Sequence, residues 1–352
     1  MPTPPDTMAV RPDERFDEER LAGYLRGRLP GAEQPLSVRQ FGGGAANLTY
    51  LLDYGTHRYV LRRPPLGPLP KSAHDMGREY RVLSRLWTAY PPAPRAFVFC
   101  DDEDVIGAPF FVMERREGVV VRKTLPDVFD TPTAPRRMAE ALVDALADLH
   151  AVDYDALGLA DLGRPAGFID RQIEGWWRRW EKAKTDDAPA MGAVRRWLAA
   201  HRPAEQAATL VHNDYKLDNV MLDPADAGRL VAVFDWDMCT LGDPLSDLGA
   251  LLTYWIEPGD PAPFHAMAMM PVAARFPTRQ ALAARYAERS GRALPDLQFY
   301  HALGLYRLTV ILAQIYVRYL RGQTQDRRFA ALGALVPLTA QAALDVAEGR
   351  WD

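Results

Sequence analysis

The sequence predicts an α+β chain of two lobes, the first rich in β-strand with one key helix, the second mainly helical. Three observations carry this. Up to residue 114 the apolar residues fall in strand-length runs bounded by turn residues, at 48–52, 58–62, 97–100 and 109–114. Beyond Gly118 the period lengthens to that of a helix, as at 135–150, where Met138, Ala141, Leu142, Ala145, Leu146 and Leu149 form one stripe. Between the helices, a short β interruption at 210–235 delivers a carboxylate from each of two apolar runs. A chain of 352 residues is long for one core and fits two.

Residues 1–14 are dense in proline and charge and read as a disordered arm. The first lobe is placed at 15–116. It opens on a helical stretch with Phe16, Leu21, Tyr24, Leu25 and Leu29 in register. Strands then flank the turn Gly42-Gly43-Gly44-Ala45-Ala46-Asn47. Glycine there lets a backbone approach phosphates, and a plain hairpin turn has the same composition. Along the strand that ends at Arg62 side chains alternate, so Val60 and Arg62 share a face. The helix at 75–87 sets Glu79 in the stripe of Val82, Leu83 and Leu86. A carboxylate on an apolar face needs a partner, and Arg62 is the natural one. Residues 101–107 read as the turn between the next two strands, and 114–118 as the connector to a second lobe at 117–352. Helices are expected at 135–150, at 167–200 and from 245 onward, and the division implies a site between the lobes.

The totals narrow the class. A formal net charge of −4 leaves no basic footprint for nucleic acid. Two cysteines, Cys100 and Cys239, are too few for a disulfide framework and read as packed thiols in a reducing compartment. The first residues lack a basic-then-apolar signal pattern. The late apolar run 308–317 falls short of the roughly 20 residues that span a bilayer. The expectation is a cytoplasmic enzyme with no membrane partner.

The chemistry concentrates in Val211-His212-Asn213-Asp214-Tyr215-Lys216-Leu217-Asp218-Asn219-Val220 and in Phe234-Asp235-Trp236-Asp237. A base, an amide oxygen and a second carboxylate held on a hairpin suit phosphoryl transfer with magnesium, a hard ion that takes oxygen ligands. A hydrolase using the same acids would need a histidine pair or a denser carboxylate cluster, and the sequence has neither at ligand spacing.

These segments, with Leu241-Gly242-Asp243-Pro244-Leu245-Ser246-Asp247-Leu248 and the upstream turn, strand and helix, resemble the aminoglycoside phosphotransferase family, which shares the fold of the protein kinases. The likeness runs from about 36 to 255 and is strongest to the branch related to kinase domains fused to acyl-CoA dehydrogenases. It implies a bilobal protein-kinase-like fold and an ATP-dependent small-molecule kinase. Asp214 would be the base and Lys216 would approach the transferred phosphate. Asn219 and Asp235 would hold Mg2+. Gly42, Gly43, Gly44 and Asn47 would cover the phosphates. Arg62 would bind them while paired with Glu79. Val60, Met113 and the backbone of Glu114 through Arg116 would flank adenine. His212 would brace the catalytic loop. Asp218, Asp243 and Asp247 would be scaffolding, the last two as acceptors at a loop and a helix start, and Asp237 would support the metal shell or the substrate. Two positions depart from the protein-kinase pattern: Arg62 stands where a lysine is usual, and Asn47 takes the last glycine position.

The acceptor is less legible. The stretch Trp176-Trp177-Arg178-Arg179-Trp180 is aromatic and basic, which favours a neutral or anionic, partly apolar molecule over a polyamine. Packing accounts for most of these tryptophans. The branch resemblance implies a hydroxylated acyl compound. The alternative reading is a nucleotide-binding regulatory module with little or no transfer activity, for which the Arg62 exchange is the support.

Overall fold

The structure is a computed structural model that describes residues 6–42, 47–65, 75–185, 188–204, 206–272, 275–324 and 326–351. The chain forms two compact units. The first comprises Met1–Glu117 and Val231–Cys239, the second Gly118–Leu230 and Thr240–Asp352. The contiguous lobes expected at 15–116 and 117–352 are therefore corrected, because the segment carrying Asp235 returns to the first unit.

In the first unit the elements are β1 (Thr7–Met8), α1 (Glu18–Leu25), β2 (Ser37–Phe41), β3 (Leu48–Asp53), β4 (Arg58–Arg63), α2 (Met76–Leu86), β5 (Ala96–Cys100), α3 (Glu103–Ile106) and β6 (Phe110–Glu114). Among the described residues the strands make one antiparallel sheet in the order β1-β2-β3-β4-β6-β5. Leu21 and Leu25 of α1 pack with Tyr50, Leu61, Phe110 and Val112, so one sheet face is apolar core. Alternation turns Val60 and Arg62 to the other face, where α2 packs on β5 and β6. Asp75 caps α2 by accepting from the Arg78 N–H at 2.9 Å, and Met76, Glu79, Val82, Leu83 and Leu86 form its buried stripe. The turn expected at 101–107 holds the one-turn α3, capped by Asp102 and ended by Gly107 at φ 79°.

The disordered arm expected at 1–14 is corrected over its described part. Thr7 and Met8 pair with Phe41 and Gln40. The Arg39 guanidinium donates to Thr7 Oγ1 at 2.9 Å, the Arg11 N–H donates to Gln40 Oε1 at 3.0 Å, and the Tyr50 hydroxyl donates to the Glu14 carbonyl at 2.8 Å. Polar residues that signal disorder in isolation here satisfy the edge of the sheet.

The second unit contains α4 (Ala134–His150), α5 (Phe168–Ala183), α6 (Pro189–Ala200), β7 (Thr209–Val211), β8 (Val220–Asp223), β9 (Asp226–Val233, whose end belongs to the first unit), β10 (Thr240–Gly242), α7 (Leu245–Tyr254), α8 (Ala262–Met267), α9 (Arg279–Ser290), α10 (Leu297–Leu320) and α11 (Leu332–Ala347). β7 pairs with β10 and β8 with β9. The long α10 packs against α5, α6, α7 and α11, and α4 against α9. The segment Arg327–Ala347 is long and apolar enough to cross a membrane by length and composition, longer than the 308–317 run that the sequence brings forward. Its α11 part packs on α10 and α6. Trp176 and Trp180 are buried, as packing requires, while Trp177 and Trp197 are half-buried.

α7 and α10 approach through glycine. A Cβ at Gly249 would collide with the Tyr300 carbonyl, and one at Gly304 would lie 2.7 Å from the Gly249 carbonyl oxygen. Backbone on one side of each contact cannot rotate away, so Gly249→Ala should destabilise the protein by about 1–3 kcal/mol. A urea midpoint equal to that of the parent protein would show that the helices part without loss.

Candidate active site

The candidate residues fall into two sets, one in each unit. In the first, Arg62 Nη1 lies 2.9 Å from Glu79 Oε1, the pair expected from strand alternation and the helix stripe. Arg62 Nη2 also donates to Asp235 Oδ1 at 3.0 Å, a contact that the sequence does not announce. Arg62 is 8% exposed and Glu79 fully buried. Burial pushes the Glu79 carboxyl up to about 7, with Asp235 and Asp237 acting in the same direction and Arg62 against them. Burial opposes the Arg62 charge as well, but Glu79 and Asp235 outweigh it and hold the guanidinium above its usual range.

Asp235 is placed by its backbone. It sits at φ 67° and ψ 59°, a left-handed conformation uncommon outside glycine, Asn and Asp. Its segment is tied to the first unit by the Val233 N–H donating to the Pro92 carbonyl at 2.9 Å, by Trp236 edge-on to Tyr90, and by Arg78 donating to the Cys239 carbonyl at 2.7 Å. Val60 and Met113 are direct cross-strand partners and both buried. Of the backbone expected to meet adenine, the Glu114 N–H donates to the Arg95 carbonyl at 2.8 Å, and the Arg116 side chain pairs with Glu114 at 3.0 Å. Gly42 is exposed and Asn47 buried at the two ends of the glycine turn, while Gly43 and Gly44 lie outside the described residues.

The second set is the loop after β7. Val211 pairs with Thr240 of β10, which fixes where the loop begins. Asn213 follows at φ 64°. Asp247 Oδ2 accepts from the His212 N–H at 2.6 Å and Oδ1 from the Asn213 N–H at 2.7 Å. The Asp214 N–H donates to His212 Nδ1 at 3.2 Å, the backbone brace expected of this buried histidine. The Tyr215 hydroxyl donates to the Leu142 carbonyl on α4 at 2.7 Å. Held this way, the Asp214 carboxylate meets Lys216 Nζ at 2.8 and 3.0 Å and accepts from Asn219 Nδ2 at 2.9 Å. Asn219 Nδ2 also donates to the Asp214 carbonyl at 2.9 Å, so the amide nitrogen is committed to the loop. Burial works against the Lys216 charge, but Asp214, Tyr254 and Asp218 overcome it and keep the amine well above its ordinary pKa. Burial raises the Asp218 carboxyl.

Asp247 is not the helix-start acceptor that its position suggests, because its oxygens serve the loop instead. Asp243 does act at the helix start, accepting from the Leu245 N–H at 2.9 Å, and it accepts from the Tyr300 hydroxyl at 2.7 Å. Behind Asp247 stands His150, the last residue of α4. Its Nε2 lies 3.3 Å from Asp247 Oδ2 and its Nδ1 lies 2.7 Å from the Tyr286 hydroxyl. Burial alone would raise the Asp247 carboxyl, but the bonds and charge from His150 and the His212 N–H hold it below its ordinary value. Sequence reasoning passes over His150, Tyr286 and the Asp235–Arg62 contact. A histidine on the apolar stripe of α4 was the available signal for the first.

The donor chemistry fits magnesium. Asp235 carries a carboxylate, and fixing the Asn219 nitrogen turns the amide oxygen to the opposite edge. Among the described residues no group of three His, Cys, Asp or Glu is placed to hold a metal. A cavity of the second unit, about 170 Å³ and lined by Phe168, Ile169, Gln206, Gly242 and Asp243 among others, includes none of the residues expected to act as base, to bind nucleotide or to hold metal.

Two outcomes follow. Asp247→Ala leaves two buried loop N–H groups and His150 without their acceptor, so it should destabilise by about 3–5 kcal/mol, read from the urea midpoint. Glu79 binds its proton more tightly folded than unfolded, so its contribution to stability is present below pH 4.5 and declines as pH rises to about 7. Glu79→Gln should flatten that part of the Tm–pH profile, and a profile with unchanged slope would remove Glu79 as its source.

Residues 37–301 match the phosphotransferase enzyme family APH. Acyl-CoA dehydrogenase family member 11 of Gallus gallus is 34% identical over 362 residues, covering 99% of this chain and 46% of that protein. Acyl-CoA dehydrogenase family member 10 of Mus musculus is 32% identical, covering 97% of this chain and 32% of that protein. The chain thus spans about half or less of the curated relatives it matches. Among solved structures, a Ralstonia eutropha JMP134 protein provisionally named an aminoglycoside phosphotransferase is 33% identical with a TM-score of 0.82, covering 95% of this chain and 99% of that one. The aminoglycoside phosphotransferase APH(4)-Ia, solved as a ternary complex with AMP-PNP and hygromycin B, shares the fold at 17% identity and a TM-score of 0.61, covering 94% and 99% of the two chains. The protein-kinase-like α+β architecture expected from the sequence is the one these neighbours have. With the catalytic-loop pattern set on that fold, the chain belongs to the aminoglycoside phosphotransferase family.

Proposed function

We propose that the protein is an ATP-dependent kinase that moves the γ-phosphoryl group to a hydroxyl of a small molecule. The observation that carries the reading is the Asp214 carboxylate, bonded to Lys216 and Asn219 on a loop whose backbone is strapped by a buried Asp247. Asp214 orients the acceptor hydroxyl and takes its proton. Lys216 exchanges part of its contact with Asp214 for the phosphoryl oxygens as negative charge gathers there. Arg62, with its fork braced by Glu79, holds the α- and β-phosphates. Gly42, Gly43, Gly44 and Asn47 cover them, and Val60, Met113 and the Glu114–Arg116 backbone receive adenine. Asn219 and Asp235 are the residues for Mg2+, which when bound neutralises phosphate charge. The acceptor in this reading is a hydroxylated acyl compound, in line with relatives named as acyl-CoA dehydrogenase family members. The setting is the cytoplasm, supported by two buried free cysteines.

One observation favours a second reading, a nucleotide-binding module without transfer. Arg62 stands in place of the lysine usual in protein kinases and meets two carboxylates at once, Glu79 and Asp235, so phosphate would compete for the same fork.

The readings separate by experiment. Both expect Mg-ATP to raise the Tm. Only the first expects ADP release dependent on an acceptor, screened over hydroxy acids, hydroxyacyl thioesters, sugars, amino alcohols and aminoglycosides. Asp214→Ala should lower that turnover by about 10²–10⁴-fold while Mg-ATP still raises the Tm. Normal turnover by the variant would sink the assignment of the base.

A further inference from the structure

The cavity of about 170 Å³ in the second unit has no part in the reaction proposed above. Its floor is Phe168 and Ile169 at the start of α5, with Gly242 and Asp243 between β10 and α7, all four buried. A Cβ at Gly242 would lie 2.6 Å from the Phe168 ring, so the ring rests on bare backbone and is held in place. Gln206 and Ala208 are half-buried at the rim, and the hollow is partly open to solvent. An engineered apolar cavity of about 150 Å³ takes benzene, so this space suits one six-membered ring.

Among the described residues that line the hollow, Asp243 carries the one charge, and no lysine, arginine or histidine stands beside it there. Asp243 is 5% exposed. It accepts from the Leu245 N–H through Oδ1 and from the Tyr300 hydroxyl through Oδ2. A carboxylate has about four acceptor positions, so each oxygen has one left. Among the described residues no cation lies within ion-pair distance of it. Burial raises the Asp243 carboxyl, and it outweighs the bonds from Tyr300 and the Leu245 N–H and the more distant charges of Arg292 and His150. The protein thus compensates this carboxylate less well than water does, and a cation that reached it would make up the difference. The ring of Phe168 offers the same cation an aromatic face.

We propose that this cavity binds a small primary ammonium compound with an apolar body about the size of one six-membered ring, its ammonium donating to Asp243 and its body lying against Phe168 and Ile169. The site shares no residue with the Asp214 loop or with the nucleotide set, and it does not depend on the kinase reading. The competing account is that Asp243 only starts α7 and fastens Tyr300, while the hollow takes up water alone.

The test uses the full chain at neutral pH. Binding of cyclohexylamine, cyclohexanol and cyclohexanecarboxylate, which share one ring and differ in charge, is followed by saturation-transfer NMR. The amine should bind, the alcohol should bind about tenfold more weakly or worse, and the carboxylate should not bind. Ala208→Phe fills the hollow from its rim and should abolish amine binding, with a circular dichroism melt like the parent's to show that the variant folds. Asp243→Asn keeps the shape and removes the charge, so it should weaken the amine by about tenfold or more and leave the alcohol as it was. The site is overturned if the amine does not bind, if the alcohol or the carboxylate binds as well as the amine, or if Ala208→Phe binds the amine as the parent does. Undiminished amine binding by folded Asp243→Asn would overturn it too. Should that variant fail to fold, Ala208→Phe decides the place and the three-compound comparison decides the charge.

Discussion

A single buried carboxylate sets the geometry of the loop that carries Asp214. Asp247 accepts from two consecutive backbone N–H groups, and the second of them belongs to a left-handed residue, Asn213, that no strand or helix holds. Asparagine adopts this conformation more readily than most residues, and its surroundings fix it there. The surroundings here are Asp247 on one side and the β7–β10 pairing on the other. Asp247 is itself located by α7, and α7 by the close glycine contact with α10. The orientation of Asp214 is thus set by helix packing several layers away, and the side chains around Asp214 refine it.

Each unit holds a cation among carboxylates. In the first, a buried arginine is surrounded by carboxylates, Glu79 and Asp235, with Asp237 near enough to act on both. In the second, a half-buried lysine answers Asp214, with Asp218 adding to the negative field. Each of these cations has carboxylate partners within the protein. In the proposed reaction, phosphate would have to displace a carboxylate from each, which favours exchange over simple addition.

Much of this was legible in the sequence. The Arg62–Glu79 pair followed from two periodicities, alternation in a strand and a stripe on a helix. The division into β-rich and helical parts followed from the same change of period. What stayed hidden has a common cause. Thr7, Asp235, Asp247 and His150 each draw their role from a partner distant in sequence, and no local pattern reports such a partner. Thr7 looked like part of a loose arm because its partner is Arg39. Asp247 looked like a helix-start residue because the loop it serves lies 34 and 35 residues earlier in the chain. His150 gave a faint sign, a polar ring on an apolar stripe, but its partners sit on α7 and α9.

The first unit is assembled from two separate pieces of chain, Met1–Glu117 and the nine-residue return Val231–Cys239. The return brings Asp235 to Arg62, Trp236 to Tyr90 and a carbonyl to Arg78. A gene cut at the end of the first piece would therefore yield a first unit lacking one of its own acids and part of its packing. Segment exchange between relatives faces the same restriction: the two pieces must be inherited as a matched pair, although more than a hundred residues of the other unit separate them along the chain.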